Sequence, residues 1–109
     1  MSEETTVAPV KPDVDIEFVV QDEAELDKPY RVIIHNDDVT PFDFVIAVLV
    51  EIFHLSLDKA YDITYEAHTQ GNAYVMTLSL EEAKRRVFKA QYTARSQGYP
   101  LTFSIEPDY

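Results

Sequence analysis

Two short polar stretches hold the side chains best suited to binding a ligand. Asn36, Asp37, Asp38 and Thr40 stand together, and His68 follows later in the chain. Carboxylate, amide and hydroxyl oxygens and a neutral imidazole nitrogen all accept hydrogen bonds. This set suits a ligand that carries N–H donors and no acceptor, as a cationic amine does.

The same residues also have a purely structural interpretation. Short polar side chains hydrogen-bond the local backbone in turns, so Asn36, Asp37 and Asp38 taken alone indicate an ordinary turn before a helix. His68 taken alone indicates a helix-end residue that binds a backbone carbonyl. The residues by themselves leave both interpretations open.

The charge of the chain narrows the classes of partner. Its 109 residues carry a formal net charge of −11, and residues 1–27 hold nine acids against Lys11 alone. A negative chain repels phosphate backbones, so we expect no nucleic-acid partner. A cation is the better candidate ligand, and the amino terminus of another protein is one.

Composition also excludes several chemistries. The chain has no cysteine, which rules out disulfides, thiolate metal sites and a cysteine nucleophile. No stretch is long and apolar enough to cross a bilayer, and the N-terminus lacks a secretory pattern. With no Gly-rich phosphate loop or nucleophile motif, we expect neither catalysis nor a metal or other cofactor. We expect a cytoplasmic monomer.

The chain divides into two parts by composition. Residues 1–27 are acidic, contain Pro9 and Pro12 and show little periodicity, which predicts a flexible extension. An apolar patch at residues 14–20 either docks on a partner or packs on the domain. Residues 28–109 have the patterning of one folded domain.

Apolar periodicity within the domain predicts three strands and three helices. The strands lie at residues 30–35, 73–79 and 100–105, and the helices at residues 41–53, 57–68 and 80–97. The order β-α-α-β-α-β predicts an α+β fold in which a three-stranded antiparallel sheet packs against three helices. The inner face of the second helix is expected to carry Leu57, Ala60, Tyr61, Thr64, Ala67 and His68.

Capping residues mark where the helices begin. Thr40 is expected to be the N-cap of the first helix, with Pro41 at its first position. Ser56 suits the N-cap of the second helix, and Ser79 with Glu82 matches a capping box for the third.

The first two helices are expected to pack antiparallel. Such packing brings His68, at the end of the second helix, beside the polar loop at the start of the first. Phe42, Val45 and Thr64 then lie just inside the rim. The predicted site is an apolar pocket with hydrogen-bond acceptors at its mouth.

The residues that form this site also match a known family. Residues 30–45, which contain N-D-D-V-T-P, resemble the signature of ClpS adaptors. Residues 67–71, A-H-T-Q-G, resemble the family's motif around a histidine and a glycine, and residues 99–101 fall in the same register. The resemblance covers residues 28–106 without a gap.

The resemblance implies a non-catalytic adaptor. ClpS proteins bind destabilising N-terminal residues, the N-degrons, and pass the bearer to a Clp AAA+ unfoldase (of the ClpA or ClpC type) with its ClpP peptidase. By the family pattern, Asn36, Asp37 and His68 bind the free α-amine, and Asp38 and Thr40 lie near the peptide backbone.

The family pattern also implies which residues hold the degron side chain. These are Phe42, Val45, Thr64 and Leu101. Methionine is frequent in the family at the positions of Phe42 and Thr64, so the pocket is expected to be crowded at one wall and opened at another. We expect an altered preference among Leu, Phe, Tyr and Trp.

Other family positions imply a contact with the unfoldase. Glu81 and Arg86 align with residues that touch the unfoldase's N-terminal domain, although lysine is usual where this chain has Arg86. The extension before the domain is needed in the family for handover to the unfoldase. We therefore expect residues 1–27 to serve delivery.

Two alternative functions compete with the adaptor. One is an enzyme or metal protein that uses Asp37, Asp38 and His68 as ligands or acid–base groups. The other is a protein-binding module of the same architecture without N-degron activity, such as the C-terminal domain of the ribosomal stalk protein. The grouping of Asn36, Asp37 and His68 has no role in the second alternative.

Overall fold

The structure is a computed structural model that describes residues 23–109. The predicted flexibility of residues 1–22 and the apolar patch at residues 14–20 lie outside the described residues. Seven elements follow one another in the described part: α1 (Glu23–Leu26), β1 (Pro29–His35), α2 (Phe42–Glu51), α3 (Leu57–Gln70), β2 (Asn72–Ser79), α4 (Leu80–Ser96) and β3 (Thr102–Pro107).

The three strands form one antiparallel sheet with the order β2-β1-β3. The central strand β1 buries Tyr30, Val32 and Ile34, because alternate side chains of a strand point to the same face. On the other face Arg31 pairs with Glu106 of β3 at 2.8 Å. The predicted α+β fold, with a three-stranded antiparallel sheet, is confirmed.

The helices α2, α3 and α4 supply the rest of the core. α4 places a row of small residues against the sheet, and α2 contributes larger apolar side chains. The largest fully buried side chains are Phe53, Ile34, Leu49, Leu101, Gln91, Val32 and Val87. Among residues 23–109, no helix has the length and apolar character needed to span a membrane.

The start of α2 differs from the prediction. Pro41, not Thr40, occupies the N-cap position, with φ −65° and ψ 146° and no side-chain cap. The Thr40 hydroxyl instead donates to Oδ2 of Asp37 at 2.8 Å. The prediction of Thr40 as the cap was wrong because the charged carboxylate of Asp37, three residues earlier, engages that hydroxyl.

The caps of α3 and α4 follow the prediction in part. Ser56 accepts from the backbone N–H of Lys59 at 3.1 Å, and Ser79 accepts from that of Glu82 at 3.2 Å. The Glu82 carboxylate binds Arg86 and Arg85, at 2.8 and 3.0 Å. Opposite charges one helical turn away draw the Glu82 side chain along the helix instead of back to its cap.

The buried face of α3 was predicted with the wrong rotation. Ala60, Thr64 and Ala67 are buried as expected, and Ile63 joins them. Leu57 and Tyr61 are 67% and 50% exposed. Since Ile63 takes a position in the core, the helix turns these two side chains outward; His68 is exposed as well.

The short helix α1 was not predicted, because only one of its four residues, Leu26, has a large apolar side chain and a single such residue gives no helical periodicity. Contacts from Tyr109 hold it: Tyr109 Oη donates to Glu25 at 3.0 Å and, since its one hydrogen is used there, accepts from Tyr30 Oη at 3.2 Å. Lys28 also pairs with Glu25 at 3.3 Å. The division of the chain at residue 27 stays a prediction.

Candidate functional site

A cavity of about 200 Å³ opens where the end of β1 meets α2 and α3. It is lined by all nine residues predicted for the α-amine, the rim and the side-chain pocket: Asn36, Asp37, Asp38, Thr40, Phe42, Val45, Thr64, His68 and Leu101. The lining also includes Ile34, His35 and Ala67, which were not predicted as site residues. Residues from β1, α2, α3 and the segment before β3 thus converge on one site.

Asp37 organises the loop at the mouth of the cavity. Its Oδ1 accepts from the backbone N–H groups of Val39 and Thr40, at 2.8 and 2.7 Å, and its Oδ2 accepts from the Thr40 hydroxyl. The turn interpretation of Asp37 is therefore confirmed. A carboxylate has about four acceptor positions, so these three donors leave Oδ2 able to accept one more hydrogen bond.

The end of α3 is tied to the end of β1. The backbone N–H of Asn36 donates to the carbonyl of Gly71 at 2.9 Å. Gly71 ends α3 with φ +97°, a left-handed conformation that glycine adopts without steric cost. This connection joins Asn36 to the residue that ends α3, three positions after His68.

Phe42 forms the wall between the cavity and the outer surface of α3. Its ring meets the His68 ring edge-on, with centroids 6.1 Å apart, and the Tyr61 ring at 5.6 Å. The first residue of α2 therefore lies against the middle and the last turn of α3, while residues 52–56 join the end of α2 to the start of α3. The predicted antiparallel packing of the two helices is confirmed.

The inner wall of the cavity is buried and largely apolar. Val45 and Leu101 are 8% and 1% exposed, and Thr64 is 3% exposed. The Thr64 hydroxyl donates to the carbonyl of Ala60 at 2.7 Å, one turn back in α3. Because its donor is satisfied within the helix, Thr64 closes the wall without a buried unpaired hydroxyl.

Two residues of α4 hold the segment that carries Leu101. Arg95 donates from one guanidinium nitrogen to the carbonyls of Tyr99 and Leu101, at 3.0 and 2.7 Å. Gln91, 1% exposed, accepts from the backbone N–H of Phe103 at 2.8 Å. We did not predict this role, although Gln91 gave a signal, since it is a polar residue on the core-facing stripe of its helix.

His35 is the other polar residue of the lining that we did not predict. Its Nε2 lies 2.8 Å from Oγ of Ser104 on the neighbouring strand β3. As the last residue of β1, it carried no periodic signal that distinguished it from an exposed strand residue. This contact fixes the ring at the edge of the cavity.

The lining is negative in character. It contains the carboxylates of Asp37 and Asp38, the imidazoles of His35 and His68, and neither lysine nor arginine. Among residues 23–109, no cluster of three or more His, Cys, Asp or Glu is placed to hold a metal ion. The mouth therefore attracts a cation and offers it oxygen acceptors.

Glu81 and Arg86 lie on α4 and do not line the cavity. Glu81 is exposed, whereas Arg86 is half-buried and donates from Nε to Glu82 at 2.8 Å. The hydrogen bond from Arg86 lowers the pKa of the Glu82 carboxyl, and the positive charge of Arg85 lowers it further. The fold thus keeps these charges separate from the cavity.

Comparisons with known proteins decide the family. The profile described as "ATP-dependent Clp protease adaptor protein ClpS" matches residues 25–104. The chain belongs to the ClpS family. It is 37% identical over 100 residues to the ClpS adapter protein of Nitratidesulfovibrio vulgaris, which covers 90% of this chain and 94% of that protein. ClpS 2 of Mesorhizobium japonicum is 38% identical over 89 residues, covering 82% and 88% of the two chains.

A solved ClpS structure has the same fold. It is ClpS2 of Agrobacterium tumefaciens bound to L-phenylalaninamide, with a TM-score of 0.72 and 34% identity. The match covers 75% of this chain and 99% of that chain. The resemblance that the motifs indicated is confirmed, and this chain is a ClpS-type adaptor of the Clp protease, not a ribosomal stalk domain.

Proposed function

We propose that this ClpS-family chain binds the free α-amine and the bulky hydrophobic side chain of N-degrons. The observation that carries the proposal is one cavity with an apolar inner wall and a mouth of hydrogen-bond acceptors. The solved relative was bound to L-phenylalaninamide, which combines an aromatic side chain with an α-amine. Binding of this kind requires no chemical step, so the chain acts as an adaptor and not as an enzyme.

The α-amine is bound by Asn36, Asp37 and His68. An α-ammonium has three N–H donors and no acceptor, and each of these residues supplies one acceptor. For Asp37 that acceptor is the remaining position on its carboxylate. Hydrogen bonds to a charged group contribute about 1.5–3 kcal/mol each, and an internal or acetylated residue leaves the acceptors unpaired.

The degron side chain fills the inner cavity, against Phe42, Val45, Thr64 and Leu101. Burial of one large apolar side chain contributes roughly 1.5–3 kcal/mol. Asp38 and Thr40 contact the peptide backbone; because the Thr40 hydroxyl donates to Asp37, its oxygen serves the peptide as an acceptor. Together these contacts support affinities of about 1 μM, near −8 kcal/mol.

A titration of a labelled Phe-initiated peptide and its acetylated twin tests this function. Acetylation removes the charge and two N–H donors, so we expect the affinity to fall at least about 100-fold. An Ala-initiated peptide with a free amine serves as the control for the side-chain contribution. Equal binding of the free and acetylated peptides would contradict the proposed function.

Delivery to the Clp AAA+ unfoldase and ClpP uses a different part of the molecule. We propose that Glu81 and Arg86 on α4 contact the unfoldase's N-terminal domain and that residues 1–22 are engaged during handover. The adaptor acts as a cytoplasmic monomer. The two tasks are then separable, with the degron held at the cavity and the unfoldase bound at α4.

A deletion tests the delivery step. Removal of residues 1–25 would also remove Glu25, which binds Tyr109 and Lys28, so the deletion should end at residue 22. We expect this variant to bind the Phe-initiated peptide normally and to slow degradation of an N-degron reporter. A tail of the same length with shuffled residues is the control, and degradation at the wild-type rate without the tail would contradict the role in delivery.

A further inference from the structure

Exposed aromatic side chains form a row on the outer face of α3. Tyr61 and Tyr65 are 50% and 54% exposed, and their rings are parallel within 5°, with centroids 6.4 Å apart. Leu57, one turn earlier, extends the row. Large apolar side chains grouped on a surface mark binding sites, whereas single scattered ones are ordinary. We refer to Tyr61 and Tyr65 as the tyrosine pair.

The tyrosine pair is continuous with the wall of the cavity. The Tyr61 ring contacts the ring of Phe42 edge-on at 5.6 Å, and Phe42 lines the cavity beside His68. An extended peptide advances about 3.3–3.6 Å per residue. If a peptide whose first residue fills the cavity leaves along α3, one or two such steps bring its second or third side chain toward the tyrosine pair.

A row of carboxylates flanks the tyrosine pair. Asp58, Asp62 and Glu66 are all exposed, and each follows one residue after a member of the row Leu57, Tyr61 and Tyr65. Side chains three or four residues apart are neighbours on a helix, and Asp58 lies three residues before Tyr61, as Asp62 does before Tyr65. The two rows therefore run side by side. A cation is attracted both to the face of a tyrosine ring and to these carboxylates.

We propose that the tyrosine pair binds an arginine side chain at the second or third position of the N-terminal peptide. The proposal rests on the proposed function, because the first residue of the peptide must occupy the cavity. Arginine fits better than lysine, since its planar guanidinium stacks on aromatic faces and is less strongly hydrated. Among substrates with the same first residue, the adaptor then prefers those in which arginine follows.

Binding of the full chain to Phe-initiated peptides tests the proposal. The peptides carry Ala, Lys or Arg at the second or third position and are otherwise identical. We expect Arg to bind about two- to fivefold more tightly than Ala, and more tightly than Lys, at one of the two positions. In the double variant Tyr61→Leu/Tyr65→Leu, the Arg peptide should no longer bind more tightly than the Ala peptide or the Lys peptide. In Tyr61→Phe/Tyr65→Phe both differences in affinity should persist because the rings remain.

Tyr92→Leu is the matched control, because Tyr92 is 52% exposed but lies on α4. This substitution should not change the ratios of affinity among the Arg, Lys and Ala peptides. If the Arg and Lys peptides gained the same affinity over the Ala peptide and lost it at high salt, the attraction to the carboxylates would be diffuse and the proposal would be overturned. Unchanged ratios in the Leu double variant would also overturn it. The acetylated peptide tests the cavity separately. If acetylation lowers the affinity as expected but arginine gives no gain in affinity, the role of the tyrosine pair is refuted and the proposed function is not.

Discussion

The cavity and the outer face of α4 are built in different ways. At the cavity, Asp37 is bound to its own loop by three hydrogen bonds, and Leu101 is held through its backbone by α4. On α4, Glu81 is exposed and Arg86 binds within its own helix, to Glu82. The cavity is organised before a ligand arrives, whereas α4 presents charges on a solvated surface.

In the proposed function, affinity belongs to the cavity and delivery to α4. Polar groups that the fold already fixes lose little conformational freedom when a ligand binds, so they contribute most of the binding free energy. Exposed charges mainly tune orientation and association rate. Substitutions at the cavity should therefore change peptide affinity, and substitutions on α4 should change handover and leave peptide affinity near the wild-type value.

The largest effect is expected from Asp37→Ala. This change removes the carboxylate proposed to bind the α-amine and the three hydrogen bonds that shape the loop. We expect the affinity for a Phe-initiated peptide to fall at least about 100-fold, since each hydrogen bond to a charged group contributes about 1.5–3 kcal/mol. Peptide titration measures the affinity, and thermal unfolding shows whether the domain remains folded.

Asp37→Asn keeps part of the loop and removes the acceptor for the α-amine. An amide oxygen in the place of Oδ1 still accepts from the backbone N–H groups of Val39 and Thr40, whereas the amide NH2 in the place of Oδ2 can accept neither from the Thr40 hydroxyl nor from the α-amine, so we expect binding to weaken at least about tenfold. Asp43→Asn is the matched control, because Asp43 is exposed in the first turn of α2 and does not line the cavity. If Asp37→Ala and Asp43→Asn bound the peptide equally well, Asp37 would have no role in recognition.

The next largest effect concerns the shape of the inner cavity. In Phe42→Met/Thr64→Met, a flexible side chain replaces a stiff ring and a longer one fills the space beside Thr64. Overpacking costs about 1–3 kcal/mol, so we expect Trp-initiated peptides to lose roughly tenfold relative to Leu-initiated ones. Titration of peptides that differ only in the first residue measures the ranking.

Thr64→Val is the control for this series, because it preserves the volume of Thr64 and removes only the hydroxyl that binds Ala60. We expect it to leave the ranking of first residues unchanged. If the Met/Met variant also kept the wild-type ranking, Phe42 and Thr64 would not determine specificity.

A smaller effect is expected where α4 supports the cavity. Arg95→Met keeps most of the side-chain length and removes the hydrogen bonds to the carbonyls of Tyr99 and Leu101. We expect about three- to tenfold weaker binding of Phe-initiated peptides, consistent with about 0.5–1.5 kcal/mol per hydrogen bond. Arg95→Lys retains a donor and should recover part of the affinity.

The peptides distinguish a loosened pocket wall from a damaged fold. If Leu101 is displaced, the advantage of Phe over Ala at the first position should shrink while the acetylation penalty persists. An equal loss of affinity for all peptides would argue against a role of Arg95 in positioning Leu101. In that outcome the ratio of Phe to Ala affinity and the ratio of free to acetylated affinity would both be unchanged.

Local sequence patterns were sufficient to predict eight of the nine lining residues, whereas Leu101 was predicted only from the family resemblance. The turn chemistry of Asn36 to Asp38 and the position of His68 near a helix end follow from short-range patterns, and antiparallel helices bring the two together. The nine predicted residues do line one cavity. The binding role of each residue remains a prediction.

Tertiary contacts explain what the sequence did not predict. The rotation of α3 depends on which side chains enter the core, and Ile63 is buried there whereas Tyr61 is exposed. The support of Leu101 by Arg95 and Gln91 depends on contacts with the backbone, which side-chain periodicity does not encode. Likewise, α1 depends on contacts from the chain end, which its own four residues do not reveal.

The smallest expected effect lies on α4, where Arg86→Ala removes the hydrogen bond that lowers the pKa of Glu82. That pKa should rise toward the ordinary value of 4.5, as measured by NMR titration of the carboxyl group. Because the folded-state pKa is lowered, the pair stabilises the fold above pH 4.5 and loses this contribution as the pH falls through the folded-state value. The variant should therefore be less sensitive to acid over that range.

Lys89→Ala is the control, since Lys89 is a basic residue exposed on α4 and is not among the causes of the lowered pKa of Glu82. Both variants should bind the Phe-initiated peptide like the wild type, and only Arg86→Ala should slow degradation of an N-degron reporter. A loss of peptide affinity in Arg86→Ala would show that α4 and the cavity are not independent.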